Sequence, residues 1–342
     1  MDLGRSEEQD QLVASFAALL AKGSSPEQVR AAEPGGFDAG LWSTLLDTGA
    51  VLMAAPESAG GWGATLLDLV LVAEELGRAA APAPVLEAQV AARLLASLDA
   101  PAAASALDGL LAGDRLVTIA VRPVADAAAP LVPAGAVCDD VIVRRDDALL
   151  LVPVTDASRR PVANLASAPL ADIELDLASV QELATGADAA AAFEAALDDW
   201  LALTAGALVG LGTAAHELGC AYACERRAFG VPIGSFQGVA HPLADDATSL
   251  DGARLLAHKA AWALDGDHDR GRELSAMAFA FASAAADQAT YDALHVHGGY
   301  GFMMEYDVQL FFRRCRGWAR VWGDAADGYR RAAAARYGAG AA

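Results

Sequence analysis

A long apolar stripe at helical spacing is the feature that most limits how this chain can fold. Eight residues follow one another at three- or four-residue intervals: Leu197, Leu201, Thr204, Leu208, Leu211, Ala215, Leu218 and Tyr222. Residues spaced in this way lie on one face of a helix. Gly206, Gly210 and Gly212 lie in the same stretch. Each costs about 1 kcal/mol of helix propensity but lets another helix approach closely. We therefore predict a long helix with close helical neighbours.

Two more long helices are predicted after the first. The second runs from about residue 241 to 264, with its apolar residues on one face, and the third runs from about 273 to 295. In the third, Met277, Phe281, Ala284 and Tyr291 form an apolar stripe that the polar Gln288 interrupts. A basic helix (308–320) and a short terminal helix follow. The region from residue 187 onward is therefore predicted to be an up-down helical bundle.

The residues before the bundle fall into two parts with different periodicity. Residues 6–113 show helical spacing, interrupted by the glycine-rich PESAGGWGAT at 56–65. Residues 115–186 contain four segments rich in Val, Ile and Leu and bounded by Pro, Gly or Asp: 116–121, 139–145, 148–154 and 171–177. These segments predict a small, mostly antiparallel sheet. The fold class is therefore mainly α, with an N-terminal helical domain (1–113), a β domain (114–186) and a C-terminal four-helix bundle (187–342).

The composition excludes several classes of protein. Of the 342 residues, 55% are hydrophobic and 20% charged, and the formal net charge is −21. Such a chain has enough apolar surface for a folded core, and its charge disfavours nucleic acid and anionic membrane surfaces as partners. The apolar stretch 201–215 is shorter than the roughly 20 residues of a membrane-spanning helix. No secretory signal and no metal-ligand spacing of Cys or His is evident, so we expect a cytoplasmic protein without a metal site.

The segment ERRAFGVPIGSFQG (225–238) follows the first long helix and combines two arginines with aromatic residues and glycines. It has two interpretations. The first is a turn between two helices, in which Arg226 and Arg227 neutralise the last carbonyl groups of the preceding helix. The second is a phosphate clamp, in which Arg226 is the charged donor and Phe229 packs against a planar ring. The residues of this segment alone leave both interpretations open.

A second glycine-rich segment, HVHGGYGF (295–302), ends the third helix. Its glycines allow a ligand to approach the backbone, and backbone N–H groups can then bind phosphate oxygens. The alternative is a helix C-cap that uses a glycine in the left-handed conformation. This segment alone also leaves both interpretations open.

Considered together, the motifs resemble those of the acyl-CoA dehydrogenase family. The resemblance combines the RxxFGxPIxxFQ pattern, the GGxGF turn about 60 residues later with Glu305 and Tyr306 behind it, an arginine-rich helix, and PESAGGWGAT followed by VAEELG (72–77). It spans nearly the whole chain. In that family, FAD lies between subunits and the substrate is a CoA thioester. A carboxylate removes the α-proton of the substrate while the β-hydride passes to the flavin.

The resemblance implies FAD contacts in both glycine-containing segments. In the first, Arg226 is expected to contact the FAD pyrophosphate, with Phe229 and Gln237 near the adenine half. In the second, the backbone of Gly298 and Gly299 is expected to contact FAD.

One position of the second segment departs from the family. Three residues before the glycine pair, the family usually has Gln, and this chain has His295. An imidazole still donates or accepts one hydrogen bond, so His295 is expected to make an altered form of the same contact.

The chain also departs from the family where the chemistry takes place. The β segment is short: residues 118–131 lack the family's Thr-Glu-Pro and Gly-Ser-Asp type loop, which touches the flavin ring. The two family positions of the catalytic carboxylate are occupied here by Trp322 and Trp200. Asp199, beside Trp200, and Asp324 are weaker candidates for the base. A helix residue next to Trp200 points about 100° away around the axis, and its simpler role is a favourable interaction with the helix dipole.

Three hypotheses follow. In the first, the chain is a subunit of an FAD-dependent acyl-CoA dehydrogenase whose active site a fuller partner subunit completes. This arrangement resembles the shortened subunit of the actinobacterial heterotetrameric enzymes that act on steroid side chains. In the second, the chain is a structural subunit that binds no FAD. In the third, it is a stand-alone flavoenzyme, a homo-oligomer that uses Asp199 or Asp324 as base.

Overall fold

The fold is built mainly from helices. The computed structural model describes residues 4–338. Within that range the α-helices are α1 (Glu7–Gly23), α2 (Pro26–Ala32), α3 (Ala39–Asp47), α4 (Leu66–Arg78), α5 (Val85–Ala96), α6 (Pro101–Leu111), α7 (Gly186–Glu225), α8 (Gln237–Asp265), α9 (Gly271–Val296), α10 (Val308–Trp318) and α11 (Ala325–Tyr337). The predicted mainly helical fold class, with a helical N-terminal part, a small β region and long helices after it, is confirmed, and six α-helices precede the β region.

The β region between α6 and α7 contains two small sheets. Its strands are β1 (Val117–Ile119), β2 (Ala128–Val132), β3 (Asp140–Arg145), β4 (Ala148–Pro153), β5 (Arg159–Pro161), β6 (Ala171–Glu174) and β7 (Gln181–Thr185). One sheet has the order β1-β3-β4-β7 and the other β2-β6-β5. Only the β1–β3 pair among them is parallel. A common core of Val, Ile, Leu and Ala side chains lies between them, with Val141, Val143 and Ile173 fully buried.

The sequence predicted four of these seven strands. β2, β5 and β7 were missed because their sequences, AAPLV, RRP and QELAT, have few of the β-branched and aromatic residues that favour strands. β5 and β7 lie at the edges of their sheets, where half of the backbone groups need no ladder partner and polar residues or Pro are tolerated.

The long helix α7 is buried on every side along its middle. All residues from Ala196 to Gly212 are buried, as is typical of a helix at the centre of a core. A Cβ at Gly210 would stand 1.8 Å from the carbonyl oxygen of Glu74 in α4, and one at Gly206 would stand 2.8 Å from that of Val70. The predicted close approach of helices at these glycines is therefore confirmed. Although α7 is long and apolar enough to cross a bilayer, 78% of its most apolar window is buried within the protein.

The stripe predicted on α9 faces outward instead of lining the core. The buried faces of α9 consist mostly of alanine, for example Ala276, Ala280 and Ala286, because α8, α10 and α11 all pack against it and small side chains allow close packing. Ala284, Gln288, Tyr291 and His295 are exposed, and Met277 and Phe281 are half-buried. The spacing identified one face of the helix correctly but did not indicate that this face lies at the surface.

Packing divides the chain into two compact units. One consists of the residues up to Arg30, Val70–Ala81 and the residues from Leu201 onward, and the other of Ala31–Leu69 and Pro82–Trp200. The boundary expected from the sequence at 113/114 falls between α6 and β1, and the one at 186/187 falls at the start of α7. The three-domain division itself remains a prediction.

Candidate functional site

The segment after α7 forms a β-hairpin with a two-residue turn. Arg227 pairs with Pro232 and Ala228 pairs with Val231, so that Phe229 and Gly230 form the turn. Both turn residues have positive φ, +53° for Phe229 and +83° for Gly230, as in the type I′ turns that join antiparallel strands. The segment is therefore a β-hairpin inserted between α7 and α8, more elaborate than a simple helix–helix turn.

The hairpin exposes the guanidinium group of Arg226 and the ring of Phe229 to solvent. The backbone of Arg226 is fixed by two hydrogen bonds: its N–H donates to the carbonyl of Tyr222, and its carbonyl accepts from Ile233. Its side chain is exposed and makes no hydrogen bond or ion pair within residues 4–338. Phe229 is 97% exposed and touches Phe236 edge-on, with 6.1 Å between the ring centroids. Gln237, the first residue of α8, is also exposed.

The glycine turn follows directly after α9. Gly298 has a φ of +60° and begins a 3-10 helix that extends to Phe302. No atom lies within 4 Å of the position that a Cβ would take at Gly298 or Gly299, so a ligand can approach the backbone there. His295 is exposed, and its ring centroid lies 5.8 Å from that of Tyr291.

An aromatic stack joins the base of the hairpin to the glycine turn. The ring of Tyr222, one turn before Arg226, stacks on His297 with centroids 4.3 Å apart and an interplanar angle of 25°. The Nδ1–H of His297 donates to the carbonyl of Ala293 at 2.7 Å, and Tyr306 meets the same imidazole edge-on at 6.1 Å. The two motifs, about 60 residues apart in sequence, therefore adjoin in space.

Sequence reasoning did not assign Tyr222 and His297 to this site. Tyr222 fits the apolar stripe of α7, and His297 stands directly before the glycine pair, to which the predicted contact was assigned. The only signal was their position: one lies one helical turn before Arg226 and the other immediately before Gly298. Their stacking is a tertiary contact that no spacing rule contains.

The segment after β1 stays hydrogen-bonded to β3. The N–H of Ala120 donates to the carbonyl of Ile142, and the N–H of Val124 donates to that of Arg144, so the chain continues alongside β3 after β1 ends. Val121 and Val124 are buried there. The donor set of the hairpin and the glycine turn fits a pyrophosphate. In the segment after β1, Arg122, Pro123 and residues 125–127 are exposed.

The positions expected for the catalytic base are filled by residues with other contacts. Trp200 is buried in α7, and Trp322 packs edge-on against Phe279 at 5.5 Å. Asp199 accepts a hydrogen bond from Nε of Arg93 at 2.7 Å, which forms a partly buried ion pair. Asp324 caps α11 by accepting a hydrogen bond from the N–H of Asp327 at 3.0 Å.

A further buried carboxyl lies in α8, away from both motifs in sequence. Asp246 is buried, and its Oδ2 has no hydrogen-bond partner. Burial, followed by the like charges of Asp292 and Asp245, raises the pKa of Asp246 to about 7. No group of three or more His, Cys, Asp or Glu side chains within residues 4–338 is arranged to hold a metal ion.

Comparison with known proteins identifies the family. Residues 6–99 match the model of the acyl-CoA dehydrogenase N-terminal domain, and residues 186–326 match that of the C-terminal domain. The chain belongs to the acyl-CoA dehydrogenase family, a family of FAD-dependent oxidoreductases. It is 33% identical over 332 residues to the acyl-CoA dehydrogenase IpdE2 of Mycolicibacterium smegmatis, a match that covers 95% of this chain and 98% of that one.

Solved structures confirm the fold. A chain of the ChsE4-ChsE5 complex from Mycobacterium tuberculosis superposes with a TM-score of 0.87 at 27% identity, covering 97% of each chain. A chain of the Tcur3481-Tcur3483 steroid acyl-CoA dehydrogenase, at 24% identity, superposes with a TM-score of 0.88 and covers 98% of this chain and 99% of that one.

Proposed function

We propose that this protein is the cofactor-anchoring subunit of a hetero-oligomeric acyl-CoA dehydrogenase. In this proposal Arg226, Phe229, Gln237 and His295, with the backbone of Gly298 and Gly299, contact FAD. A fuller acyl-CoA dehydrogenase chain holds the flavin ring and supplies the catalytic carboxylate. The reaction is the α,β-dehydrogenation of a CoA thioester, for which bound FAD supplies the hydride acceptor.

The hairpin is the observation that carries the proposal. It combines a guanidinium without a partner in the described chain, an almost fully exposed phenylalanine in a left-handed backbone conformation, and an adjoining open glycine turn. Backbone strain and an exposed aromatic ring both cost stability, and such features are typical of ligand-contact sites. A guanidinium and backbone N–H groups are the donors that suit a pyrophosphate.

The residues of this chain would bind and orient the cofactor without moving a proton. Arg226 would neutralise pyrophosphate charge, and Phe229 would stack on the adenine ring. The Tyr222–His297 stack would hold the two segments at a fixed separation before the ligand arrives. Preorganisation of this kind reduces the entropy lost on binding.

The names of relatives support a finer proposal. One similar structure is a complex of two differently named chains, and another is called a steroid acyl-CoA dehydrogenase. We therefore infer a hetero-oligomer that acts in the cytoplasm on the CoA thioester of a steroid-derived acid, as part of lipid breakdown.

Co-purification with a fuller chain tests the proposal. The test partner is an acyl-CoA dehydrogenase from the same genome that retains both the flavin-contact loop and the catalytic glutamate. The complex should be yellow, and Arg226→Ala should lower its FAD occupancy. Arg227→Gln removes the neighbouring charge, which already contacts the carbonyl of Gly230 at 3.2 Å, and should leave FAD occupancy nearly unchanged. A colourless complex, or equal effects of the two variants, would refute the proposal.

The second hypothesis, a structural subunit without FAD, is favoured by one observation. The segment after β1 is paired with β3 and buries Val121 and Val124, and it lacks the Thr-Glu-Pro and Gly-Ser-Asp type loop that touches the flavin ring in the family. A colourless but catalytically necessary subunit would support it. The third hypothesis predicts a yellow, active homo-oligomer. The contacts of Asp199 with Arg93 and of Asp324 with the end of α11 give both carboxylates other roles.

A further inference from the structure

Arg30, in the N-terminal helix α2, bonds to the segment that follows the glycine turn. Its Nε–H donates to the carbonyl of Met304 at 3.0 Å, and its guanidinium forms an ion pair with Asp307. Within residues 4–338, these are the only hydrogen bonds or ion pairs that join residues 303–307 to a residue more than ten positions away in sequence. A guanidinium holds two acceptors at once because its N–H groups form a rigid fork.

The support of Arg30 is itself well fixed. The preceding residue, Val29, is 1% exposed and anchors α2 in the core. At the start of the same helix, the side chain of Gln28 accepts a hydrogen bond from the N–H of Ser25 at 2.8 Å. Arg30 lies in the same compact unit as the glycine turn, and its side chain is 24% exposed. The guanidinium therefore reaches the segment 303–307 from a rigid, largely desolvated position.

Tyr306 transmits this constraint to the glycine turn. It lies in the chain between the two residues that Arg30 holds. Its ring stacks on Tyr300 with centroids 5.4 Å apart and an interplanar angle of 27°, and it meets His297 edge-on at 6.1 Å. His297 precedes Gly298 and Gly299, and Tyr300 follows them. Both flanks of the glycine pair therefore pack against one tyrosine.

We propose that Arg30 is a positioning residue that holds the Gly298–Gly299 turn in the conformation that binds FAD. This inference rests on the proposed function. No atom lies within 4 Å of a Cβ position at either glycine, so the pair has little packing of its own to fix its direction. A backbone N–H binds a phosphate oxygen well only when it points at it, and order established before binding reduces the entropy lost on binding. Arg30 acts through Tyr306 and does not touch FAD.

The alternative is that Arg30 merely stabilises the fold, and a second arginine provides the matched control. Arg254 in α8 donates to Glu74 in α4 at 2.7 Å and is 27% exposed. It also ties an N-terminal helix to the bundle, but it bonds to neither glycine-containing segment. Replacement of either arginine by Met removes the charge and the donors while an unbranched side chain remains.

The two variants should differ in FAD binding. Arg30→Met should raise the Kd for FAD of the co-purified complex about tenfold. Arg30→Lys should raise it less, because Lys keeps the charge but not the fork. Arg254→Met should change the Kd less than about twofold, although it lowers the thermal midpoint at least as much. In the isolated chain, Arg30→Met alone should speed hydrogen exchange at the amides of Met303 and Tyr306, which are hydrogen-bonded within the segment.

The outcomes separate this inference from the proposed function. If Arg226→Ala raises the Kd for FAD, an unchanged Kd for Arg30→Met, or equal changes in the two Met variants, would overturn the positioning role. If Arg226→Ala leaves the Kd unchanged or the complex is colourless, the proposed function fails. Hydrogen exchange then decides whether Arg30 holds the turn: faster exchange in Arg30→Met alone supports it, and unchanged exchange overturns it.

Discussion

Replacing Phe229 by Asn should weaken FAD binding without lowering the free energy of unfolding. In the left-handed region a non-glycine residue costs about 1–2 kcal/mol, and Phe229 has a φ of +53°. Asn tolerates this conformation and is preferred in type I′ turns. Because Phe229 is 97% exposed, its removal sacrifices little burial, and the edge contact with Phe236 contributes about 0.5–1.5 kcal/mol. We therefore expect the free energy of unfolding to stay the same or rise by up to about 1 kcal/mol.

The same substitution should weaken FAD binding. Stacking of an aromatic side chain on a base contributes about 1–3 kcal/mol, so the Kd for FAD of the complex should rise roughly 5- to 150-fold. Urea unfolding of the isolated chain measures the first quantity, and flavin fluorescence titration of the complex measures the second. Gly230→Ala is the control for strain: at a φ of +83° it should destabilise the fold. A loss of stability above about 1 kcal/mol for Phe229→Asn, or an unchanged Kd for FAD, would refute the reasoning.

Two further substitutions test the electrostatics and the packing of the helices. Because the pKa of Asp246 is raised to about 7 in the folded state, its contribution to stability falls as pH rises from about 4 to 7 and is constant above. Asp246→Asn should therefore raise the free energy of unfolding, measured by urea titration, by roughly 1–3 kcal/mol at about pH 8 and little at about pH 4. Gly210→Ala would place a Cβ 1.8 Å from the carbonyl oxygen of Glu74 and should lower the thermal midpoint by several degrees, as overpacking does. Gly299→Ala, with open space around it, should leave the midpoint unchanged. Scanning calorimetry measures both midpoints.

Much of the fold could be read from periodicity. The stripe and glycines of α7 predicted a long helix with close neighbours, because helical spacing and the absence of a side chain have direct geometric consequences. β2, β5 and β7 could not be predicted, because short strands with Ala, Arg or Gln are held by their ladder partners and not by their own preference. The stripe predicted on α9 shows the same limit: spacing groups residues on one face but does not say which face is buried.

The sequence by itself predicted which residues contact the cofactor and which groups of the family's active site this chain lacks. Residue type and spacing singled out Arg226, Phe229 and the Gly298–Gly299 pair, and the resemblance to the acyl-CoA dehydrogenase family predicted their FAD contacts and placed Trp at both positions expected for a carboxylate. Only the tertiary structure decided that Tyr222 stacks on His297 and so joins the two motifs, that Phe229 lies exposed in a strained turn, and that the segment after β1 pairs with β3. The physical reason is that these features arise from contacts between residues distant in sequence, whose geometry depends on the packing of whole helices and strands rather than on local preference.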